Sequence, residues 1–358
     1  MKPKTQMCSL AMMLLIVAGT ARAADVPVKP EADLRYRHDA LEFGDADVNH
    51  RQRIRLRFGA SSELREDLTL RLRIASGDDD PVSTNQTLTE AFSKKPLTLD
   101  LAYFEYRPLR GLTLTGGKQP NPFYKPGDSQ LIWDGDLTPE GLSLSFSRQT
   151  ARVKWFATGS SFWVMDRRDG APDAFLLAGQ AGAGLRLGDD FLLVAAGAFY
   201  DYTGLKGRLP VYDDDAFGNS VDAGGLLVND YNLVDGGLEL RGKAWKLPFS
   251  LFGNVAVNLA ADDGRTAWLL GASVGDPGKP KGWRVRYTWR QVGTDAVYGT
   301  FSDSDFGGGG TGTWGHLIDG SFTLNDHLSF AVTLFLSRID DGEDTRYHRI
   351  QLDMLVKY

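Results

Sequence analysis

Arg51-Gln52-Arg53-Ile54-Arg55-Leu56-Arg57-Phe58 alternates guanidiniums with a polar amide and three apolar side chains. In an extended chain alternate residues project to opposite sides, so four guanidiniums share one face while Gln52, Ile54, Leu56 and Phe58 share the other. Wound into a helix, the same arginines would spread around most of the circumference and leave no apolar stripe to bury. The segment therefore reads as a strand, cationic on one side and largely oily on the other. A polar inside and an apolar outside is the pattern of a membrane-spanning β-barrel. Trp283, Val285, Tyr287 and Trp289 repeat it against Arg284, Arg286, Thr288 and Arg290. Leu328, Phe330, Val332, Leu334 and Leu336 form another apolar row, and in the final segment Ile350, Leu352, Met354, Val356 and Tyr358 oppose Gln351, Asp353 and Lys357.

Carried along the chain, the alternation predicts strands near 31–38, 49–61, 68–77, 97–108, 111–120, 139–149, 151–164 and 174–188. A second set falls near 190–202, 230–244, 248–261, 265–276, 282–296, 312–325, 327–340 and 345–358. Sixteen is an even number, so both termini fall at the same end of an antiparallel barrel. The connectors offer an independent check, because such barrels have short periplasmic turns and longer extracellular loops. Long connectors rich in Gly, Asp, Asn and Pro lie at 39–48, 78–96, 121–138, 203–229 and 297–311, alternating with tight ones such as Pro108-Leu109-Arg110-Gly111 and Asn325-Asp326-His327. Two expected outer connectors, near 262–264 and 341–344, are short. Trp155, Trp163, Trp245, Trp268 and Trp314 fall near strand ends and are candidates for interfacial girdles.

Residues 1–23 read as a secretory signal peptide: Lys2 and Lys4, an apolar run from Leu10 to Ala18, then Ala21-Arg22-Ala23 before the cut. The run is shorter than the roughly 20 residues of a spanning helix. Cys8 precedes it and would leave with the signal, so residues 24–358 hold no thiol and no disulfide. The whole chain has 40 Lys and Arg against 46 Asp and Glu, a net charge of −6, and losing Lys2, Lys4 and Arg22 makes the remainder more acidic. That balance argues against a nucleic-acid partner. A mean hydropathy of −0.25 does not exclude a membrane, because a barrel strand shows lipid only alternate residues.

Two stretches carry a resemblance to a family: Leu101-Ala102-Tyr103-Phe104-Glu105-Tyr106-Arg107-Pro108, then Gly111-Leu112-Thr113-Leu114-Thr115-Gly116-Gly117-Lys118 with Asn121-Pro122-Phe123. With the sixteen-strand pattern and the aromatic end, they make the chain similar to the Gram-negative outer-membrane porins usually labelled putative porins. The resemblance spans essentially the whole of residues 24–358. It implies a transmembrane antiparallel β-barrel of sixteen strands with an infolded third outer loop, homotrimers, and export through the periplasm to the outer membrane. It also implies contacts with lipid and lipopolysaccharide, and a C-terminal strand read by the barrel assembly machinery. Tyr358 stands where such barrels most often end in Phe.

A barrel of this size leaves an aqueous channel unless something fills it. The expected function is passive diffusion of small hydrophilic solutes and ions. The constriction is expected at the third outer loop, 121–138, with Asp128, Asp134 and Asp136 around Trp133. Facing it should stand the inward arginines of the first three strands, side by side: Arg35 and Arg37, then Arg51, Arg53, Arg55 and Arg57, then Arg71 and Arg73, with Glu105 as a neighbour to pair with. Carboxylates opposite guanidiniums in a narrow pore would set up a transverse field that sorts solutes by charge. The bland alternative is that these arginines merely solvate the lumen. Arg284, Arg286 and Arg290 form a second inward row. The runs Asp78-Asp79-Asp80 and Asp213-Asp214-Asp215 read as solvated loop, the sharper alternative being a divalent-cation or lipopolysaccharide bridge; neither has the spaced ligands of a calcium loop.

An enzyme is disfavoured, since His38, His50, His316, His327 and His348 come with no nucleophile elbow, zinc spacing or phosphate loop, and no motif asks for a cofactor. A substrate-specific channel for phosphate or carboxylates is the rival within transport, because anion channels use ladders of Arg and Lys. A saccharide channel would show a line of lumen aromatics, which is not evident. A structural or adhesive barrel is the remaining class.

Overall fold

Each long strand hydrogen-bonds to the one before it in sequence, and the last returns to pair with the first. The computed structural model describes residues 27–88, 91–167 and 170–358. The expected signal peptide and Cys8 lie outside the described residues. The first eight wall strands are β1 (Val28–Phe43), β2 (Asn49–Arg65), β3 (Leu68–Ser76), β4 (Leu97–Leu109), β5 (Leu112–Lys118), β6 (Glu140–Gln149), β7 (Val153–Met165) and β8 (Ala174–Leu187). The other eight are β9 (Phe191–Thr203), β10 (Tyr231–Ala244), β11 (Leu247–Asn258), β12 (Thr266–Asp276), β13 (Trp283–Val292), β14 (Thr313–Thr323), β15 (Leu328–Ile339) and β16 (Thr345–Lys357). All neighbours are antiparallel. β1 closes on β16 from Asp33↔Lys357 to Phe43↔Tyr347. Closure satisfies every wall ladder internally, as a bilayer requires.

The predicted strands match in number and order, with ends that shift by a few residues. The largest shift is in β1, which runs on to Phe43 because Ala40 and Leu41 still pair with His50 and Asn49 of β2 while Phe43 meets Tyr347 of β16. The short β3 leaves the upper edge of β2 bare. Gln86 and Thr87 cover it, pairing with Ile54 and Arg53, and this edge contact has no signature in the sequence pattern.

One end of the barrel carries short turns, such as 66–67, 110–111 and 245–246. The other carries the long loops, among them L2 (77–96), L3 (119–139), L5 (204–230) and L7 (293–312). At the feet of L3, Gly117 pairs with Gly141. Both have positive φ, and a Cβ on either would stand 2.2 Å from a neighbouring carbonyl oxygen, of Ala102 or Ser161, so only glycine fits.

The faces sort as the alternation requires. Val285, Leu352 and Phe330 are exposed on the outside while Thr288, Gln351 and Asp319 are buried within. Trp155 and Trp163 stand exposed near opposite ends of β7, Trp163 against Phe175 at 4.7 Å. Trp268 stacks on Trp289 at 4.3 Å.

Inside, the two halves differ. Inward residues of β7 to β10, including Phe162, Leu176, Tyr200, Tyr202, Tyr231 and Leu233, pack with Leu131 and Trp133 of L3 and Val297 and Tyr298 of L7 into one apolar core. Across from it, β16, β1 and β2 present charge.

Candidate functional site

Register decides which charges meet. Across β1 and β2, Arg35 stands opposite Arg55 and Arg37 opposite Arg53, while Asp33 faces Arg57 and Asp39 faces Arg51. Like charges placed directly opposite are destabilising unless answered, and three wall carboxylates answer them. Asp33 binds Arg57 at 2.8 Å and Arg55 at 3.2 Å. Asp353 takes a two-pronged bond from Arg37, at 2.6 and 2.8 Å. Asp39 accepts from Arg51 at 2.6 Å and from Arg349 of β16 at 2.7 and 2.8 Å.

Two arginines fall outside this patch. β3 pairs so that Arg73 meets Gly59 and Arg71 meets Ser61. The two-residue turn at 66–67 fixes that register, and it moves both towards the short-turn end. Only the rows of β1 and β2 lie side by side as expected. Arg73 pairs with Asp100 at 2.5 Å, and Glu105 pairs with Arg107.

The three loop aspartates take three different surroundings. Asp136 lies 3.8 Å from Arg55 and accepts a bond from the Thr84 hydroxyl of L2 at 3.1 Å. Asp134 is buried and turns away from the arginines: its carboxylate accepts from the Ser304 N–H (2.8 Å) and hydroxyl (2.9 Å) in L7. Burial, with Asp303 and Asp136 close by, holds the Asp134 carboxyl well above the ordinary range. Asp128 is exposed at φ +56° and makes no ion pair among the described residues.

The rest of L3 is tied to inward residues of the wall. Tyr124 donates its hydroxyl to Glu239 at 2.5 Å, Ser129 to Asn254 at 3.0 Å, and the Trp133 indole N–H to the Tyr202 hydroxyl at 2.7 Å. Arg286 donates to the Gly127 carbonyl at 2.9 Å and to Asp319 at 2.6 Å. Lys125, half-buried and with no ion pair among the described residues, is shifted down by desolvation.

L7 supplies charges that the sequence pattern did not reveal. Asp305 lies 3.3 Å from Arg37 and 2.8 Å from Arg349. Asp303 pairs with the buried Arg290 at 2.7 Å, and the guanidinium lies 4.3 Å from the Phe306 ring centre. Strand parity pointed Arg290 inward and could have done the same for Arg349. The two aspartates sit in a glycine-rich loop with no periodicity to read.

After all this pairing, little cationic charge is left unanswered. Among the described inward arginines of β1 to β3, Arg53 and Arg71 have no hydrogen bond or ion pair, and Arg35 has only Asn85, at 2.6 Å. The Nε–H groups of Arg35, Arg53 and Arg55 are buried without a protein partner.

A closed sixteen-stranded antiparallel barrel with an apolar outer belt and a charged, loop-lined interior defines a porin-type membrane β-barrel. The chain belongs to the family described as Putative porin, whose model matches residues 31–223 and 244–358. Among solved structures it is similar in fold to OprB of Pseudomonas putida, with a TM-score of 0.62 at 12% identity over 97% of this chain and 96% of that one. OmpF of Salmonella typhi gives 0.57 at 10% over 93% and 98%. OmpT of Vibrio cholerae, in a trimer form, gives 0.51 at 9% over 92% and 99%. No curated protein matches the chain.

Proposed function

We propose that the protein is an outer-membrane channel through which small hydrophilic solutes and ions diffuse passively. In this reading residues 1–23 direct export and are removed, residues 24–358 form the barrel, and both termini face the periplasm. L3 narrows the lumen from the side of β8 to β11. The conduction path then follows the opposite wall, past Arg35, Arg37, Arg53, Arg55 and Arg57, with Asp136 and Asp305 facing that wall from the loops and Arg71 and Arg73 below. The observation that carries this is the apolar core that L3 and L7 build against β7 to β10, facing the charged wall of β16, β1 and β2, since the charged wall can be wet and the packed core cannot. Trimer assembly is favoured by the trimer form of OmpT. Lipid and lipopolysaccharide around the belt, and the barrel assembly machinery at the C-terminal strand, complete the set of partners.

The test is single-channel conductance of refolded residues 24–358 in a planar bilayer, with reversal potential under a potassium chloride gradient. Large steps with weak ion preference support general diffusion. Strong anion preference with saturable block by phosphate supports the second reading, a substrate-specific anion channel, which Arg35 and Arg53, neither in an ion pair among the described residues, favour. Arg53→Gln and Arg55→Gln are expected to lower anion permeability. An unchanged preference in both variants removes the constriction role, and no conductance from a verified folded barrel points to a structural or adhesive protein.

A further inference from the structure

Above Arg55, a cavity of about 370 Å³ opens between the wall and the loops, lined by Arg51, Arg53 and Arg349 on one side and by Asp80, Tyr212 and Phe217 on the other. Its charges are not all neutralised within the protein. Arg51 and Arg349 share Asp39, and Arg349 also holds Asp305. Among the described residues Arg53 has neither a hydrogen bond nor an ion pair, and its Nε–H is buried without a partner. On L2, Asp80 accepts one backbone N–H, from Val82 at 2.9 Å, and makes no ion pair among the described residues. Among the described residues the cavity is therefore bordered by one guanidinium and one carboxylate that each lack an ion pair, close enough to feel each other's charge but not in contact, with Asp305 also on the border. Tyr212 and Phe217 stack with centroids 6.3 Å apart and planes 18° apart, giving the same space an apolar border.

We propose that this vestibule is a binding site for small zwitterions carrying an apolar side chain, the chemistry of an α-amino acid, with the carboxylate on Arg53 and the ammonium on Asp80. This rests on the channel reading above. Charge-assisted hydrogen bonds at both ends are the strong, directional kind. At about 30 Å³ per water, the space corresponds to roughly a dozen waters, enough for a molecule of that size. A dianion is disfavoured, since Asp80 and Asp305 would meet its second charge. A simple carboxylate gains Arg53 but faces Asp80 unaided.

The experiment is current block of the refolded barrel by L-phenylalanine, with phenylacetate as the probe that keeps ring and carboxylate but lacks the ammonium. Block is read relative to each variant's own conductance. Saturable block by L-phenylalanine is expected, with phenylacetate weaker by about tenfold, the scale of one charge-assisted bond. Asp80→Asn should abolish that preference, and Arg53→Gln should weaken both probes. Equal block by the two probes, or a preference that survives Asp80→Asn, overturns the proposal. So does an absence of block in a pore that conducts, which leaves the channel reading intact. A folded barrel with no conductance overturns the channel reading and this site with it.

Discussion

Trp133→Ala is expected to release L3 without opening the barrel. The indole is 3% exposed and packs against Phe123 at 5.7 Å, Tyr200 at 5.6 Å and Phe162 at 6.3 Å, with its N–H on the Tyr202 hydroxyl. Truncating a buried Trp costs about 3 kcal/mol or more, from lost burial and the cavity left behind. The wall strands do not depend on this side chain, because their ladders close among themselves. The cost therefore falls on the local equilibrium between docked and released L3, and 3 kcal/mol multiplies the released population roughly a hundredfold. Tyr202→Phe removes the acceptor alone, at about 1 kcal/mol, and should raise it only about fivefold. Single-channel recording reads the release as added open-state noise and larger conductance excursions, and limited proteolysis reads it as faster cutting within 119–139. Equal noise and equal protease resistance in wild type and Trp133→Ala would refute the idea that this residue anchors the loop. An unfolded barrel would refute the assignment of the cost to L3.

Arg290→Met strands Asp303 without its cation in a buried setting and is expected to cost about 3–5 kcal/mol, lowering the temperature at which the folded band is lost on gels. The double variant with Asp303→Asn should recover most of that loss, and a double variant as unstable as the single one would argue against the pair. Acidification should tighten the contact between L3 and L7. Because the Asp134 carboxyl is raised in the folded protein, its contribution to docking is full below the ordinary carboxylate range of about 4 and is lost as pH rises through the raised value. Channel noise should therefore fall with decreasing pH in wild type and become pH-independent, in that range, in Asp134→Asn; a variant that keeps the wild-type profile assigns the effect elsewhere.

The wall of the barrel is legible in the amino-acid order. Alternation of Arg51 to Arg57 with Ile54, Leu56 and Phe58 is a local property, because the pleat sends neighbours to opposite faces whatever the rest of the chain does. Strand count, outward rows and the alternation of long and short connectors followed from it, and so did the inward pointing of Arg290. Which inward charges meet depends instead on register and closure in three dimensions. Register put Arg35 against Arg55 and moved Arg71 and Arg73 away from them, and closure brought Asp353 and Arg349 beside residues more than 300 positions earlier. L3 shows the same limit. Its three aspartates were readable as a cluster, yet Asp134 turns to Ser304 while Asp136 turns to Arg55. Residues two apart in a loop have no fixed relative direction, so their partners are set by L2, L7 and the wall packing around them. Arg53 and Asp80, which make no ion pair among the described residues, are the remainder of that pairing. A remainder can be found only when every partner has a position in space.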